Sequence, residues 1–116
     1  IYILKDDYET ALEFALEALG IYREINNQIG VAYGLLDVGK SYFLMGNFEK
    51  AIFTFQELVT VYPKGIKVPD ALLKTGYAYL SLKDNNRAHH FLKLVITRYP
   101  FSEAADKAQN KLDTFN

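Results

Sequence analysis

The chain has 116 residues and a mass of 13.3 kDa; 50% of its residues are hydrophobic and 23% are charged, as in one ordinary globular domain. Thirteen basic against fourteen acidic residues argue against a strongly basic nucleic-acid-binding protein. The lack of cysteine excludes disulfides, thiol nucleophiles and cysteine zinc sites, and every apolar run is too short to cross a membrane. Aromatic residues make up 15% of the chain, with nine tyrosines, eight phenylalanines and no tryptophan.

Charge is distributed unevenly along the chain. Residues 1–63 carry four basic and nine acidic side chains, whereas residues 64–116 carry nine basic and five acidic ones. Such a distribution could steer a charged partner or favour head-to-tail contact between copies. The alternative interpretation is a chance spacing of solvated helix faces.

The first four residues, Ile1-Tyr2-Ile3-Leu4, contain no initiator methionine and no signal-peptide pattern. They have the composition of the end of an apolar helix. We therefore expect the chain to be a fragment of a longer protein.

One sequence pattern occurs three times without gaps. Residues 2–11 read YILKDDYETA, residues 42–51 read YFLMGNFEKA and residues 79–88 read YLSLKDNNRA, at offsets of 40 and 37 residues. Beyond these segments the second and third copies also match at Gly39 and Gly76, Phe55 and Leu92, Val59 and Ile96, and Tyr62-Pro63 and Tyr99-Pro100. Self-similarity at a fixed period indicates stacked repeat units that share one core.

Each of the last two copies has the pattern of a helical hairpin. Apolar residues recur at three- and four-residue steps over 31–44 and again over 48–62, which is typical of one face of a helix. Gly46 lies between these runs and suits a left-handed helix end, and Pro63 stops the second run. The same reasoning predicts third-copy helices over 69–82 and 86–99, ended by Pro100.

Small residues fall at corresponding positions of the two hairpins, Gly39 with Ala51 and Gly76 with Ala88. Glycine inside a helix costs about 1 kcal/mol relative to alanine. Its return at one repeat position therefore indicates that a larger side chain would push the paired helices apart.

These residues resemble the tetratricopeptide repeat, a helix–turn–helix unit of about 34 residues. The second copy supplies the residue types of that pattern at Leu35, Val38, Gly39, Tyr42, Gly46, Ala51, Phe55 and Pro63. The third copy keeps Leu72, Gly76, Tyr79, Ala88 and Pro100, but has Lys83 in place of the turn glycine. The resemblance implies an all-α fold, a right-handed α-solenoid of antiparallel helix hairpins. It would hold a partial repeat over 1–27 and full repeats over 28–64 and 65–101.

Residues 102–116 fit none of the hairpins and are predicted to form a C-terminal capping helix. Ser102 suits the N-cap position, and Ala105, Ala108, Leu112 and Phe115 form one narrow apolar stripe beside a polar face. A helix that is apolar on one side only is what the exposed end of a stacked array requires. We therefore expect one repeat domain over 1–116.

A narrower resemblance rests on the Tyr-Pro pairs at 62–63 and 99–100, the second followed by a Ser-x-x-Ala helix start. Residues 48–112 look like bacterial tetratricopeptide proteins of the cell envelope, among them the periplasmic coordinator of the Tol-Pal system and the outer-membrane-protein assembly lipoprotein. The first hairpin, with its 40-residue step, looks more like the repeats of cytoplasmic regulators and large bacterial scaffolds. The resemblance thus implies a periplasmic or cell-envelope location, with the cytoplasm as the alternative.

No residues have the spacing of a catalytic or metal site. His89 and His90 are adjacent, so on a helix they point about 100° apart and cannot chelate one ion as an i, i+4 pair would. Glu9, Glu13 and Glu17 share one helix stripe, interpreted as a solvated face because the spacing of a calcium loop is absent. Phosphate-binding, dinucleotide-binding and nucleophile-elbow motifs are also absent. We therefore expect no enzyme activity, no metal and no cofactor.

The resemblance also implies that the first helices of successive hairpins line a concave groove for a peptide or a partner protein. The groove positions carried over from the family are Tyr33, Leu36, Lys40 and Phe43 in the second copy and Asp70, Leu73, Tyr77 and Leu80 in the third. Rigid aromatics in such a trough would serve as anchors, unless they pack between hairpins instead. Only Lys40 matches the carboxylate clamp of the chaperone-tail-binding subgroup, so that mode of binding is not expected.

The favoured function is therefore a non-catalytic protein–protein interaction scaffold. One alternative is self-association through the apolar side chains of Tyr2, Leu4 and neighbouring faces, and another is an accessory domain of a cytoplasmic regulator. The expected partner is a protein or peptide, with no nucleic acid and no direct insertion into a membrane.

Overall fold

A computed structural model describes residues 5–115 as a row of α-helices without strands. In chain order these are α1 (Lys5–Glu24), α2 (Gln28–Leu44), α3 (Phe48–Val61), α4 (Val68–Ser81), α5 (Asn85–Arg98) and α6 (Glu103–Leu112). Each helix packs against the next one in the chain, and α4 also contacts α2 and α6. The predicted all-α fold of helical hairpins is confirmed. Tyr2 and Leu4, the residues named for self-association, lie outside the described residues.

The turns after α1, α2 and α4 share one hydrogen-bonded geometry. After α2, the Gly46 N–H donates to the carbonyl of Phe43 and the Asn47 N–H donates to the carbonyl of Tyr42. The same pair of bonds surrounds Asn26 and Lys83, and this double pattern is the Schellman motif. The motif needs a left-handed residue at its centre, where φ is 56° at Asn26, 80° at Gly46 and 63° at Lys83.

Side-chain caps fix the start of the helix that follows each of these turns. Asn27, Asn47 and Asp84 each accept a hydrogen bond from the backbone N–H three residues further on. Such caps satisfy N–H groups that have no partner within the helix. Because Asn27 is the cap, α2 begins at Gln28. This is three residues before the start of the helix predicted from the apolar spacing over 31–44. The Ser102 side chain caps α6 in the same way, accepting from the Ala105 N–H at 3.0 Å.

The core lies between the paired helices of each hairpin. Ala51, Phe55 and Leu58 of α3 are fully buried, and so are their counterparts Ala88, Leu92 and Val95 of α5. Three of the repeated aromatics, Tyr42, Tyr62 and Tyr99, are half-buried against this core. Much of the high aromatic content is thus used in packing the hairpins.

The glycines predicted to permit close helix approach do so, but their main contacts differ from the predicted ones. A Cβ on Gly39 would clash with the ring of Phe55, not with Ala51. A Cβ on Gly76 would lie 2.9 Å from Leu92 Cδ2, whereas the Ala88 carbonyl oxygen would be further away, at 3.6 Å. The large side chain one turn beyond the alanine fills the space above the glycine. A second close approach joins α1 to α2, where Gly30 lies under the ring of Tyr22.

None of the helices described over residues 5–115 is long and apolar enough to cross a bilayer.

Candidate partner-binding face

The first helices of the two complete hairpins, α2 and α4, lie side by side, and α6 lies along α4. We call the surface they share the α2–α4–α6 face. Three shallow depressions mark it. One of about 230 Å³ is lined by Lys40, Phe43, Leu44, Lys74 and Tyr77. One of about 350 Å³ is lined by Tyr77, Lys107, Asn110, Lys111 and Thr114. The third, of about 250 Å³, lies between the start of α4 and the start of α6.

Two of the eight predicted groove residues do not reach this surface. Leu36 and Leu73 are only 4% and 1% exposed and belong to the hydrophobic core. Each lies three residues after a groove position, which leaves it about 60° short of a full turn around the helix. At that angle the side chain is buried between the helices. The assignment of Leu36 and Leu73 to an accessible groove is therefore wrong.

The other six predicted residues keep some exposed surface. Tyr33 and Lys40 are exposed, and Phe43, Asp70, Tyr77 and Leu80 are half-buried. The structure brings Lys40, Phe43 and Tyr77 together in the depression between α2 and α4.

The remaining members of the predicted set have other neighbours. The ring of Tyr33 lies under the Lys67 ammonium, with Nζ 4.7 Å from the ring centroid. Asp70 pairs with Lys74 at 2.7 Å, and Leu80 packs against the core. Part of Phe43 is also used in packing, because its ring meets that of Phe48 edge to face, with centroids 5.2 Å apart.

Tyr77 is at the centre of the α2–α4–α6 face, since it lines two of the three depressions. The Lys111 Nζ lies 5.5 Å from the centroid of its ring. Burial raises the pKa of the Tyr77 phenol above 10.0; the nearby charge of Lys107 opposes this rise and that of Asp70 adds to it. Tyr77 therefore stays neutral at physiological pH and offers a hydroxyl for hydrogen bonding beside a flat apolar ring.

The charge of this face is positive. The residues lining the three depressions include five lysines, at positions 40, 67, 74, 107 and 111, and two carboxylates, Asp70 and Glu103. Each carboxylate already contacts a lysine, at 2.7 Å for Asp70 with Lys74 and 3.3 Å for Glu103 with Lys107. Lys40, Lys67 and Lys111 are left to set the sign of the surface.

Sequence reasoning missed Leu44, Lys74, Lys107 and Lys111 as members of this face. Lys74 lies one helical turn after Asp70, so the spacing of a helix surface could have found it. Lys107 and Lys111 lie on α6, which was interpreted only as a cap. By position in the array, α6 corresponds to the first helix of a further hairpin and lies beside α4 as α4 lies beside α2. Carrying the groove positions over to α6 would have brought both lysines into the set.

The histidines and the acidic stripe form no shared site in the structure. His89 stacks on the ring of Phe115, with centroids 5.3 Å apart, whereas His90 meets the edge of Phe91. Glu9, Glu13 and Glu17 are all exposed. Among the residues that the structure describes, no three histidine or carboxylate side chains converge as metal ligands.

The outer side of α1 is an apolar surface that no described helix covers. Ala11 is exposed, whereas the equivalent Ala51 and Ala88 are fully buried against the first helix of their own hairpin. Phe14 and Ile21, on the same side of α1, are 67% and 52% exposed. The side of α1 that corresponds to the inside of a hairpin thus faces outward.

Comparison with known proteins identifies the repeat. A family model described as the tetratricopeptide repeat matches residues 33–65 and 70–102, more than half of the chain. A comparison with curated proteins gave no significant match, so no relative supports the narrower likeness to cell-envelope proteins. Tetratricopeptide repeats generally mediate protein–protein interaction and are generally non-catalytic scaffolds. With hairpins α2–α3 and α4–α5 coinciding with the two matched segments, the chain belongs to the tetratricopeptide repeat family.

Proposed function

We propose that this protein is a non-catalytic interaction scaffold whose α2–α4–α6 face binds an acidic segment of a partner protein. The observation that supports this proposal is the half-buried Tyr77, set between two depressions and surrounded by lysines from three helices. Aromatic side chains with one apolar face and one polar tip commonly act as interface anchors.

The charge of the face favours an acidic partner. Lys40 of α2 and Lys111 of α6 flank Tyr77 from opposite sides, so a carboxylate bound near Tyr77 would meet a cation on either side. Exposed charges of this kind speed encounter and select partners more than they add affinity, and they are screened by salt. Affinity would come chiefly from an apolar side chain of the partner resting on Phe43, Leu44 and Tyr77.

The proposal can be tested by selecting peptides from a random library displayed on phage, with the whole chain as immobilised target. We expect enriched sequences in which an apolar or aromatic residue is flanked by aspartate or glutamate. Binding of a synthetic enriched peptide should weaken as salt is raised. Enrichment of neutral or basic sequences, or an affinity that does not depend on salt, would refute the acidic-segment proposal.

We further propose that residues 1–116 act as one unit, with repeats over 28–64 and 65–101 and a cap over 102–116, in assembly of the bacterial cell envelope. The support for that setting is the Tyr-Pro pairs at 62–63 and 99–100. The full-length gene tests it: an export signal or lipid-attachment site upstream would agree with the proposal, and a fused cytoplasmic regulatory domain would contradict it.

The outer side of α1 favours a second candidate function, self-association. Ala11, Phe14 and Ile21 would be covered by the same side of α1 in a second copy. Because α1 also bears the exposed Glu9, Glu13 and Glu17, association should strengthen as salt is raised. Light scattering over a concentration series tests this candidate. The mass should rise with concentration in the native chain and stay monomeric in Phe14→Asp, whereas a constant monomer mass for both would exclude it.

A further inference from the structure

An apolar groove of about 460 Å³ lies between α1 and α3, on the side of α2 opposite to the α2–α4–α6 face. Its floor is formed by Leu35, Val38 and Tyr42 of α2. Its walls include Leu16 of α1 and Phe53 and Thr54 of α3. A volume of this size lies within the range of natural ligand pockets, which is about 300–1,000 Å³.

The equivalent space of the next repeat is filled by the protein itself. At the 37-residue offset, Tyr42 corresponds to Tyr79 and Thr54 corresponds to Phe91. The ring of Phe91 stacks on that of Tyr79, with centroids 5.5 Å apart and planes 17° apart. Because the smaller Thr54 stands where the next repeat has phenylalanine, no ring among residues 5–115 stacks on Tyr42, and the groove is open.

One further neighbour, a cation above the ring, is the same for the two tyrosines. Lys50 Nζ lies 5.7 Å from the centroid of Tyr42, and Arg87 Cζ lies 5.9 Å from that of Tyr79. The cation is retained above each ring, whereas the aromatic neighbour of Tyr79 has no counterpart at position 54. The next repeat thus indicates that an aromatic side chain suits the space beside Tyr42.

Apolar side chains stand exposed at the mouth of the groove. Phe53 is 74% exposed on the α3 side and Leu16 is 44% exposed on the α1 side. Neither large side chain is needed to close the core beneath, where Leu35 and Val38 are already buried. Exposed apolar side chains around a concave apolar floor mark a contact surface.

The charge around the groove selects a basic partner. Arg23 and Glu57 pair with each other at 2.7 Å, so they contribute little net charge. Glu49 lies one turn before Phe53 on α3, and Glu13 lies one turn before Leu16 on α1, with Glu9 a further turn away. Lys50, held over Tyr42 inside the groove, offsets Glu49 in the lining. The acidic surplus therefore comes from the exposed Glu9 and Glu13 at the α1 edge.

We propose that the groove between α1 and α3 is a docking site for an aromatic side chain carried by a basic segment of a protein partner. The aromatic ring stacks on Tyr42 in the position that Phe91 occupies beside Tyr79, and flanking lysines or arginines meet Glu9 and Glu13. This site is separate from the α2–α4–α6 face and does not depend on it, so the scaffold can hold an acidic segment on one side and a basic aromatic segment on the other.

The test uses a synthetic peptide, acetyl-Lys-Lys-Phe-Lys-Lys-amide, titrated to millimolar concentration into the whole chain with labelled methyl groups. We expect saturable shifts of the methyl signals of Leu16, Leu35 and Val38. The matched peptide with alanine in place of phenylalanine should leave them unchanged. Shifts confined to Leu72 and Leu73, or no shifts with the phenylalanine peptide, would overturn the proposal.

Two variants test the role of the vacant aromatic position. Thr54→Phe restores the residue found in the next repeat and should weaken binding at least about tenfold, whereas Thr60→Phe, at an exposed position of α3 that does not line the groove, should bind like the native chain. If Thr54→Phe loses its helical circular dichroism, the test uses Phe53→Ala instead, and Phe101→Ala, at a fully exposed phenylalanine outside the groove, is its control. Loss of binding in Phe53→Ala alone supports the proposal. Equal affinity of the native chain and every variant that folds would overturn it.

Discussion

Gly39 lies directly against the ring of Phe55: a Cβ on Gly39 would lie 2.7 Å from Cδ1 and 2.9 Å from Cζ of that ring. Phe55 has no exposed surface, so its ring cannot move away into solvent. Close packing of protein interiors makes such an overlap costly. The glycine therefore sets the distance between α2 and α3. The shapes of the α2–α4–α6 face and of the groove between α1 and α3 both depend on this distance.

Gly39→Ala should lower the free energy of unfolding by about 1–3 kcal/mol, because the added methyl group overpacks a site that cannot relax. Gly76→Ala should cost less, since the nearest atom is the end of the flexible Leu92 side chain. Gly20→Ala is the control: apart from its chain neighbours and the backbone of its own helix, no heavy atom lies within 4 Å of its Cβ position, and it should stabilise α1 by about 0.5–1 kcal/mol. Urea unfolding measures all three, and equal effects of Gly39→Ala and Gly76→Ala would contradict this account.

Lys83→Gly should stabilise the protein by about 0.5–1 kcal/mol, because Lys83 adopts the left-handed conformation at the centre of the turn after α4. Gly46→Ala, at the equivalent turn after α2, should destabilise it by about 1 kcal/mol. Thermal unfolding of the two variants beside the native chain makes the comparison. A loss of stability in Lys83→Gly would show that its side chain contributes more than its backbone costs.

The Asp84 cap should make stability depend on pH in the acid range. Hydrogen bonds from the Arg87 backbone N–H and side chain hold the pKa of Asp84 below its ordinary value of 3.8. A carboxyl whose pKa is lowered by folding contributes stability above 3.8 and loses it as pH falls through the folded pKa. Asp84→Asn keeps an oxygen acceptor for the cap but does not titrate. The native chain should therefore lose more stability than Asp84→Asn when urea unfolding is repeated below that pH, and parallel losses would contradict this role for Asp84.

The helices could be predicted from sequence because their apolar spacing, the Gly46 turn and the stops at Pro63 and Pro100 all indicate the same hairpins. The repeated turn around Asn26 was not predicted. The first copy matches the other two only over residues 2–11, which end before this turn, and asparagine is a weaker turn signal than glycine.

The candidate surfaces were predicted less completely, because they depend on side-chain direction and on neighbouring helices. Of the residues assigned from family positions, Lys40, Phe43 and Tyr77 line one depression, whereas Leu36 and Leu73 are buried. Lys107 and Lys111 join the face because α6 packs beside α4. The spacing of residues within one helix does not predict which other helix it packs against. The groove beside Tyr42 could have been found from the aligned repeats, since Thr54 stands where the third copy has Phe91.

Partner binding through the α2–α4–α6 face can be tested by the affinity of two double variants for an acidic peptide that was enriched by selection on the native chain. Lys40→Glu with Lys111→Glu reverses the charges on either side of Tyr77. Lys64→Glu with Lys93→Glu changes the net charge equally at exposed positions outside the three depressions. Binding through the α2–α4–α6 face predicts that the first variant weakens affinity about tenfold or more while the second leaves it nearly unchanged. Equal weakening in both variants, or none in the first, would contradict it.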